Sequence, residues 1–316
     1  MSLDFEKPIT DLEEQIAALK AKAATPDEPT ATEIARLEQE RAAALKNVYA
    51  KLTPWQTVQI ARHRDRPLLR DFIKGLCSEF IELHGDRLFA DDQGIIGGFA
   101  TIDGQRVMLI GHQKGKTVDE NVKFEFGMAR PEGYRKALRL MKLAQKYHLP
   151  VISFIDTPGA FPGADAEERG QAEAIARNLL EMISIRTPIL VVVTGEGGSG
   201  GAVGIGVGDV ILMLSNAIYS VISPEGCASI LWRDGTKAPE AAEALKVTAA
   251  SLLELKVIDE IIPEPLGGAH RDYDATMAAV KKALLKHLKR LHGVSAKKLL
   301  SRRQAKFAAM GAPRKS

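Results

Sequence analysis

An α/β fold with a mainly parallel sheet is predicted by three features of this sequence. From residue 150 onward, apolar stretches of strand length alternate with longer amphipathic stretches, the pattern of right-handed βαβ crossovers. Residues 189–193, Ile-Leu-Val-Val-Val, form an unbroken apolar run, as expected of a strand buried on both faces. That run enters a glycine-dense turn, residues 195–201, in which only Glu196 and Ser199 are not glycine. Small residues follow that can open a helix. A strand, a glycine turn and a helix start, in that order, bring backbone N–H groups to a helix N-terminus with no Cβ to screen them. Such a site can hold a phosphate or stabilise an oxyanion.

Taken in order, residues 11–24 and 31–52 are rich in Ala, Glu, Lys, Leu and Arg, and Ile34, Leu37, Ala44, Leu45, Val48 and Leu52 make a helical stripe. With the turn residues 25–30 between them, they predict a helical hairpin ahead of the globular part. Residues 68–84 read as an amphipathic helix and 85–94 as a polar loop. Residues 95–102 and 106–110 are strands joined by Asp103-Gly104, a strong hairpin signal. Residues 117–130 lack a clear period and read as a mobile charged loop. A helix over 134–148 and a strand over 150–155 precede the loop Asp156-Thr-Pro-Gly-Ala-Phe-Pro-Gly163. One long helix is expected over 166–185. Strands over 210–214 and 217–222 lead to Ser223 and Pro224, a helix cap and first-turn proline. Short helices then run to 255, a strand spans 257–262, and helices over 272–291 and 295–308 follow.

The 316 residues, 45% apolar and 26% charged, suffice for one large or two ordinary domains. The polar, acidic opening MSLDFEKPITDLEEQ predicts no signal peptide, and no apolar run reaches membrane-span length, which points to the cytoplasm. Cys77 and Cys227 have no metal-ligand spacing and read as reduced thiols. The net charge is +3, but from Ala275 onward there is no acidic residue against a dozen Lys and Arg. This basic tail could meet an acidic partner, nucleic acid or a phosphorylated cofactor, or be a solvated helix face.

The glycine turn admits several readings. Residues 195–200 match the dinucleotide fingerprint G-x-G-x-x-G, yet Glu196 places a carboxylate where a pyrophosphate would approach, and no acidic strand end follows about 20 residues later. Residues 197–201 match the nucleophile elbow G-x-S-x-G with Ser199 as nucleophile, for which Asp209 and His270 could complete a triad. A third reading is an oxyanion hole of backbone amides with Ser199 as spacer. A fourth is a tight turn that lets a helix pack close to a strand.

Seven stretches carry a resemblance: GHQKG (111–115), PEGYRKALRLM (131–141), FIDTPGAFPG (154–163), EERGQAEAIARNL (167–179), GEGGSGGAVGIGVGD (195–209), YSVISPEGCASILW (219–232) and IIPEPLGGAHR (261–271). Together they closely resemble the alpha subunits of bacterial acetyl-CoA carboxylase carboxyltransferases, over almost the whole chain. The resemblance implies a crotonase-like (ClpP/crotonase) fold of repeated ββα units in stacked sheets. It implies an α2β2 assembly with a beta subunit that carries a zinc ribbon, so that zinc belongs to the partner. It further implies transfer of a carboxyl group from carboxybiotin, held on a biotin carboxyl carrier protein and not attached to this chain, to acetyl-CoA. The product is malonyl-CoA, for fatty acid synthesis, and a separate biotin carboxylase uses the ATP.

By the same resemblance, the amides of Gly200, Gly201 and Ala202 stabilise the biotin carbonyl oxygen, with Gly198 and Ser199 in the same loop. Thr157, Pro158, Gly159, Ala160, Phe161, Pro162 and Gly163 wall the biotin channel, with Phe161 as an apolar contact. Pro224, Glu225 and Gly226 shape the same cleft. Lys114, Arg135 and Arg139 either meet a CoA phosphate or form a solvated basic face. Biotin's own nitrogen can take the methyl proton, so no side-chain general base is required. The expected segments are a helical arm (1–53), a carboxyltransferase domain (54–294) and a basic C-terminal helix and tail (295–316). The alternative is a stand-alone crotonase-fold acyl-CoA hydratase or isomerase using Glu167, Glu168 or Glu225.

Overall fold

The computed structural model describes residues 3–22 and 28–311. Eight strands build one sheet: β1 (Glu79–Glu82), β2 (Ile95–Ile102), β3 (Gln105–His112), β4 (Val151–Thr157), β5 (Ile189–Gly198), β6 (Val210–Leu214), β7 (Ile218–Ser220) and β8 (Glu260–Ile262). Their order is β1-β2-β3-β4-β5-β6-β8, with β7 off this path against β5. The first three strands are antiparallel and the rest pair in parallel. Asp103 (φ 50°) and Gly104 (φ 76°) turn the β2–β3 hairpin in the left-handed region that a two-residue turn requires. Every residue of β4 and β5 is buried, which is why both strands are read as continuous runs and not as alternating ones.

The sheet forks at β5. Its first half pairs with β6 through residues 190–193, and its second half pairs with β7 through residues 196–198. Against β4 the register slips: Ile155 pairs with Val193, but Thr157 pairs with Gly197. The extra β5 residues form a bulge that re-aims the strand toward the glycine turn.

The helices are α1 (Lys7–Lys22), α2 (Glu28–Tyr49), α3 (Pro54–Ala61), α4 (Leu69–Leu76), α5 (Val118–Lys123), α6 (Pro131–Lys146), α7 (Ala164–Glu168), α8 (Gln171–Ser184), α9 (Ser199–Val203), α10 (Pro224–Trp232), α11 (Ala238–Leu245), α12 (Ala249–Glu254), α13 (Tyr273–Leu291) and α14 (Ala296–Ala309). None among the described residues is long and apolar enough to cross a membrane.

Four expectations are corrected. The helix expected over 68–84 stops at Leu76, and β1 follows, because Cys77 turns extended and residues 79–82 find β2 as a partner. Residues 117–130 are not a structureless loop. Thr117 and Glu120 form a reciprocal capping box that starts α5, a signal present in the sequence as T-x-x-E. The helix expected over 166–185 is two helices, broken at Gly170 (φ 82°). The strand expected to end at residue 193 runs on to Gly198. Of the turn expected over 25–30, residues 25–27 lie outside the described residues, and 28–30 already belong to α2.

Two peripheral elements are tied to the body by buried charges. The α1–α2 hairpin closes on Ile16, Ile34 and Leu37. Buried Glu6, just before α1, accepts hydrogen bonds from Arg271 (3.0 Å) and the Tyr49 hydroxyl (2.7 Å), and Glu13 accepts a second one from Arg271 (2.6 Å). At the other end, Arg303 of α14 is 1% exposed. It pairs with Asp209 (2.7 Å) and donates to the carbonyls of Met182 (2.6 Å), Ile185 (2.8 Å) and Thr187 (3.1 Å). The start of the basic C-terminal segment is therefore packed into the fold and is not merely a solvated face.

His63 and His270 stack at 4.1 Å beside this clasp. Burial lowers both imidazoles, His270 to about 4, against an ordinary value of 6.5. Arg66 and Arg271 add to the burial effect at His270 and Glu6 opposes it; at His63, Asp65 and Glu6 oppose it. The folded chain thus binds fewer protons than the unfolded chain in this range, so stability rises with pH. The protection factors of amides in α1 and in residues 264–271 are expected to fall as pH drops from 6.5 toward 4; protection that is flat across that window would refute the coupling.

Candidate active site

The bulge in β5 is held by three cations from distant parts of the chain. Arg66, between α3 and α4, donates to the Thr194 carbonyl (2.7 Å) and pairs with Glu264 (2.9 Å). Both side chains are essentially buried, and Glu264 also accepts the Asn216 (2.8 Å) and Ala269 (2.7 Å) amides. Burial works against the Glu264 carboxylate, but Arg66 and those amides outweigh it and hold its pKa below the ordinary range. Arg62, at the end of α3, bridges Glu196 (2.6 Å) and Glu225 (2.6 Å). Lys114 pairs with Asp156 (2.6 Å), and Asp156 accepts the Glu196 amide (2.9 Å).

These contacts dispose of the dinucleotide reading. Glu196 faces Arg62, not a ligand, and the space where a Cβ of Gly195 would sit is filled by the Asp156 carboxylate at 2.5 Å. That glycine is required by a side chain of the fold itself. The triad reading fails in the same way. Asp209 is engaged by Arg303 and the Ile189 amide (2.8 Å), and His270 is stacked on His63. Ser199 is exposed and has neither as a partner.

Gly198 caps α9, Ser199 stands at φ 51°, and Gly200 and Gly201 complete the first turn. The N–H groups of the cap and first three helical positions have no intrahelical acceptor. Ser199, Gly200 and Gly201 hold those positions, whereas the Ala202 N–H is the first with a carbonyl, that of Gly198, available to it. The Asp156–Gly163 loop lies directly against this turn. A Cβ on Gly198 would stand 2.2 Å from the Pro158 carbonyl oxygen, and one on Gly201 would stand 2.4 Å from the Gly159 carbonyl carbon. Thr157 shapes the loop by bonding across it to Gly159 (2.7 Å and 3.1 Å). The two glycine-bearing segments therefore touch backbone to backbone.

The loop stays against the turn as far as Ala160, whose nitrogen would stand 2.7 Å from a Cβ on Gly201. Ala160 is half-buried, Pro162 is exposed, and the Phe161 ring lies under the Arg130 guanidinium (3.9 Å to the centroid) and over Gly163. Phe161 is anchored through its amide to Ala129 (3.0 Å). Ser223 caps α10 by accepting the Gly226 amide (3.1 Å), Pro224 occupies the first turn, and Glu225 reaches the glycine turn only through Arg62. Arg135 and Arg139 are committed elsewhere: Arg135 to Asp86 (2.8 Å) and Glu132 (3.0 Å), Arg139 to the Gly85 carbonyl (3.0 Å).

An apolar cleft of about 530 Å³ opens beside Ser199 and Gly200. Val203, Tyr219, Leu252 and Phe307 are among its walls. Ser199 and Gly200, expected in the site, line this cleft, and Phe307 lines it unexpectedly, because nothing local in the basic C-terminal segment signals that α14 folds back toward the turn.

Two substitutions test this geometry. Gly200→Ala meets nothing closer than Ile175 Cδ1 at 3.5 Å and is expected to leave the thermal unfolding temperature nearly unchanged, while Gly201→Ala lowers it by several degrees because main chain must move. Equal effects would mean that the backbone contact does not constrain the turn. Arg66→Met leaves Glu264 buried and unpaired, which is expected to cost about 3–5 kcal/mol in denaturant unfolding.

The family described as acetyl co-enzyme A carboxylase carboxyltransferase-like matches residues 2–311. The acetyl-coenzyme A carboxylase carboxyl transferase subunit alpha of Geobacter metallireducens is 55% identical over 308 residues, 98% of this chain and 96% of that one. The protein of the same name from Nitrosomonas europaea is 54% identical over 309 residues, with 98% and 96% covered. Among solved structures, the transcarboxylase 12S hexamer core superposes with a TM-score of 0.58 at 17% identity, over 74% of this chain and 42% of that one. A Pseudomonas malonate decarboxylase hetero-tetramer in complex with coenzyme A gives 0.56 at 15% identity, over 67% and 85%. The structural likenesses bear on the fold, which agrees with the crotonase-like architecture, while the sequence matches bear on the family. This chain belongs to the acetyl-CoA carboxylase carboxyltransferase alpha-subunit family.

Proposed function

We propose that this chain is the alpha half of a carboxyltransferase that moves the carboxyl group of carboxybiotin onto acetyl-CoA to form malonyl-CoA. The observation that carries the reading is the turn after β5. It places Ser199 and Gly200 on the wall of an apolar cleft with Gly201 buried just behind them, and Glu196 and Glu225, two nearby carboxylates, are each paired with Arg62. Charge develops on the biotin carbonyl oxygen as the carboxyl group leaves, and preorganised amides stabilise that charge where water is excluded. Gly200 and Gly201 are the donors we assign. Ala202 supports the turn from below, fully buried. Gly198, Pro158 and Gly159 keep the turn narrow through their close approach. The tetrahydrothiophene ring and alkyl chain of biotin suit the apolar cleft walls, and the freed ureido nitrogen serves as the base for the methyl proton.

A stand-alone hydratase or isomerase would need a carboxylate aimed at the acyl carbon. Glu225 is held by Arg62, and Glu167 and Glu168 end α7 with exposed side chains. We therefore favour a composite site, completed by a beta subunit that supplies the donors for the acetyl-CoA enolate and carries the zinc. In this reading the biotin arrives on a carrier protein, recharged by a separate biotin carboxylase, in an α2β2 assembly in the cytoplasm. Residues 1–53 serve as an arm for contact with another subunit, residues 54–294 as the transferase body, and residues 295–316 begin as a wall of the cleft.

The test is reconstitution. Malonyl-CoA-dependent carboxylation of free biotin is expected when this chain is mixed with a beta subunit, and with neither alone. Activity in this chain by itself would sink the composite site. Ser199→Ala in the mixture is expected to keep kcat within about threefold, since the backbone amide and not the hydroxyl is assigned the work; a loss of several orders of magnitude would restore the serine nucleophile.

A further inference from the structure

Behind the glycine turn lies a side chain with no part in the chemistry above. His112 ends β3 and is 1% exposed, and neither of its ring nitrogens has a hydrogen-bond partner. The Gly201 and Phe154 backbones face the ring, and Asp156 and Lys114 are its charged neighbours. Burial outweighs Asp156 and lowers the imidazole to about 4, so near neutral pH the ring carries one N–H donor and one acceptor. A donor buried without a partner is costly and calls for an explanation.

The acceptor that would satisfy it is also unpaired. In α9 the Gly200 carbonyl accepts from Gly204 (3.0 Å) and the Val203 carbonyl from Gly206 (3.0 Å). The Ile205 N–H, which a continuing helix would offer to Gly201, goes instead to Ala202 (3.4 Å). Among the described residues no backbone donor reaches the Gly201 carbonyl, and the His112 ring stands near it without the geometry of a full hydrogen bond. Phe154, by contrast, lies in the paired interior of β4. An orphan donor and an orphan acceptor thus face each other beneath the residues assigned to the oxyanion.

We propose that His112 is a positioning residue whose ring N–H closes onto the Gly201 carbonyl when the assembled site binds biotin, fixing the Gly201–Ala202 peptide plane and, through the Gly201 Cα, the direction of the Gly201 amide that precedes it. This rests on the oxyanion role proposed above. The bond closes as biotin binds and sets the aim of a donor used when charge develops, so its loss lowers kcat and kcat/KM far more than it raises KM.

The experiment uses the complex with the beta subunit and free biotin as the probe. His112→Ala is expected to lower kcat about 10- to 100-fold, the usual cost of removing a group that orients another. KM for biotin and the melting temperature should stay close to wild type, and His112→Asn, which keeps an N–H donor, should recover part of the loss. Nitrogen-15 NMR of labelled wild-type complex should show the His112 ring moving to one hydrogen-bonded tautomer when biotin is added. An unchanged kcat in His112→Ala, a fall of kcat, KM and melting temperature together in both variants, or a ring signal indifferent to biotin would each overturn the proposal. An inactive wild-type complex would overturn the functional reading and this proposal with it, whereas an active one with an indifferent His112 would overturn this alone.

Discussion

The grip of Arg66 on Thr194 and Glu264 is the constraint on which the site depends. A strand that continued past residue 193 in register with β4 would bring the chain to a different point on the sheet. The bulge shifts the register so that Gly197 pairs with Thr157 and the strand passes from β6 to β7 before α9 starts, and it leaves backbone groups that need partners. Arg66 takes the Thr194 carbonyl, and Asp156 takes the Glu196 amide. Glu264 in turn binds the turn after β6 and the loop before α13, so one buried carboxylate joins three segments to the bulge. Buried charges are stable only when fully paired, which makes this arrangement rigid and intolerant of losing a member.

Rigidity suits the chemistry assigned to the turn. Backbone amides cannot be re-aimed by rotating a side chain, so their direction is set by how tightly the turn is packed. Gly198 and Gly201 allow the 156–163 loop to approach closer than any Cβ would permit. The same contacts consume the nearby carboxylates. Glu196, Glu225 and Asp156 are each paired with a cation, so among the described residues the cleft beside the turn is lined mainly by apolar side chains.

Much of the local structure was legible because it depends on neighbours in sequence. The Asp103-Gly104 hairpin, the Ser223–Pro224 helix start and the buried β5 follow from turn chemistry, capping and the apolar run. The T-x-x-E box before α5 was equally local and was overlooked because the segment lacks an apolar period. β1 was misread because it is short and lies at a sheet edge. Its four residues become a strand only by pairing with β2, which begins well after them in the chain.

By itself, then, the sequence determined the alternation of strands and helices, the glycine turn at the end of a buried strand, and the family to which the chain belongs. Each rests on periodicity, on residues within a few positions of each other, or on motifs that survive as strings. Only the tertiary structure decided what those residues are free to do. Arg62 meets Glu196 across 134 positions and Glu225 across 163, and Arg303 meets Asp209 across 94. Contacts of that range depend on where the sheet forks and how helices fold back over it. A charge pattern along the chain does not encode which carboxylate will be consumed by a cation and which backbone amide will be left facing the cleft.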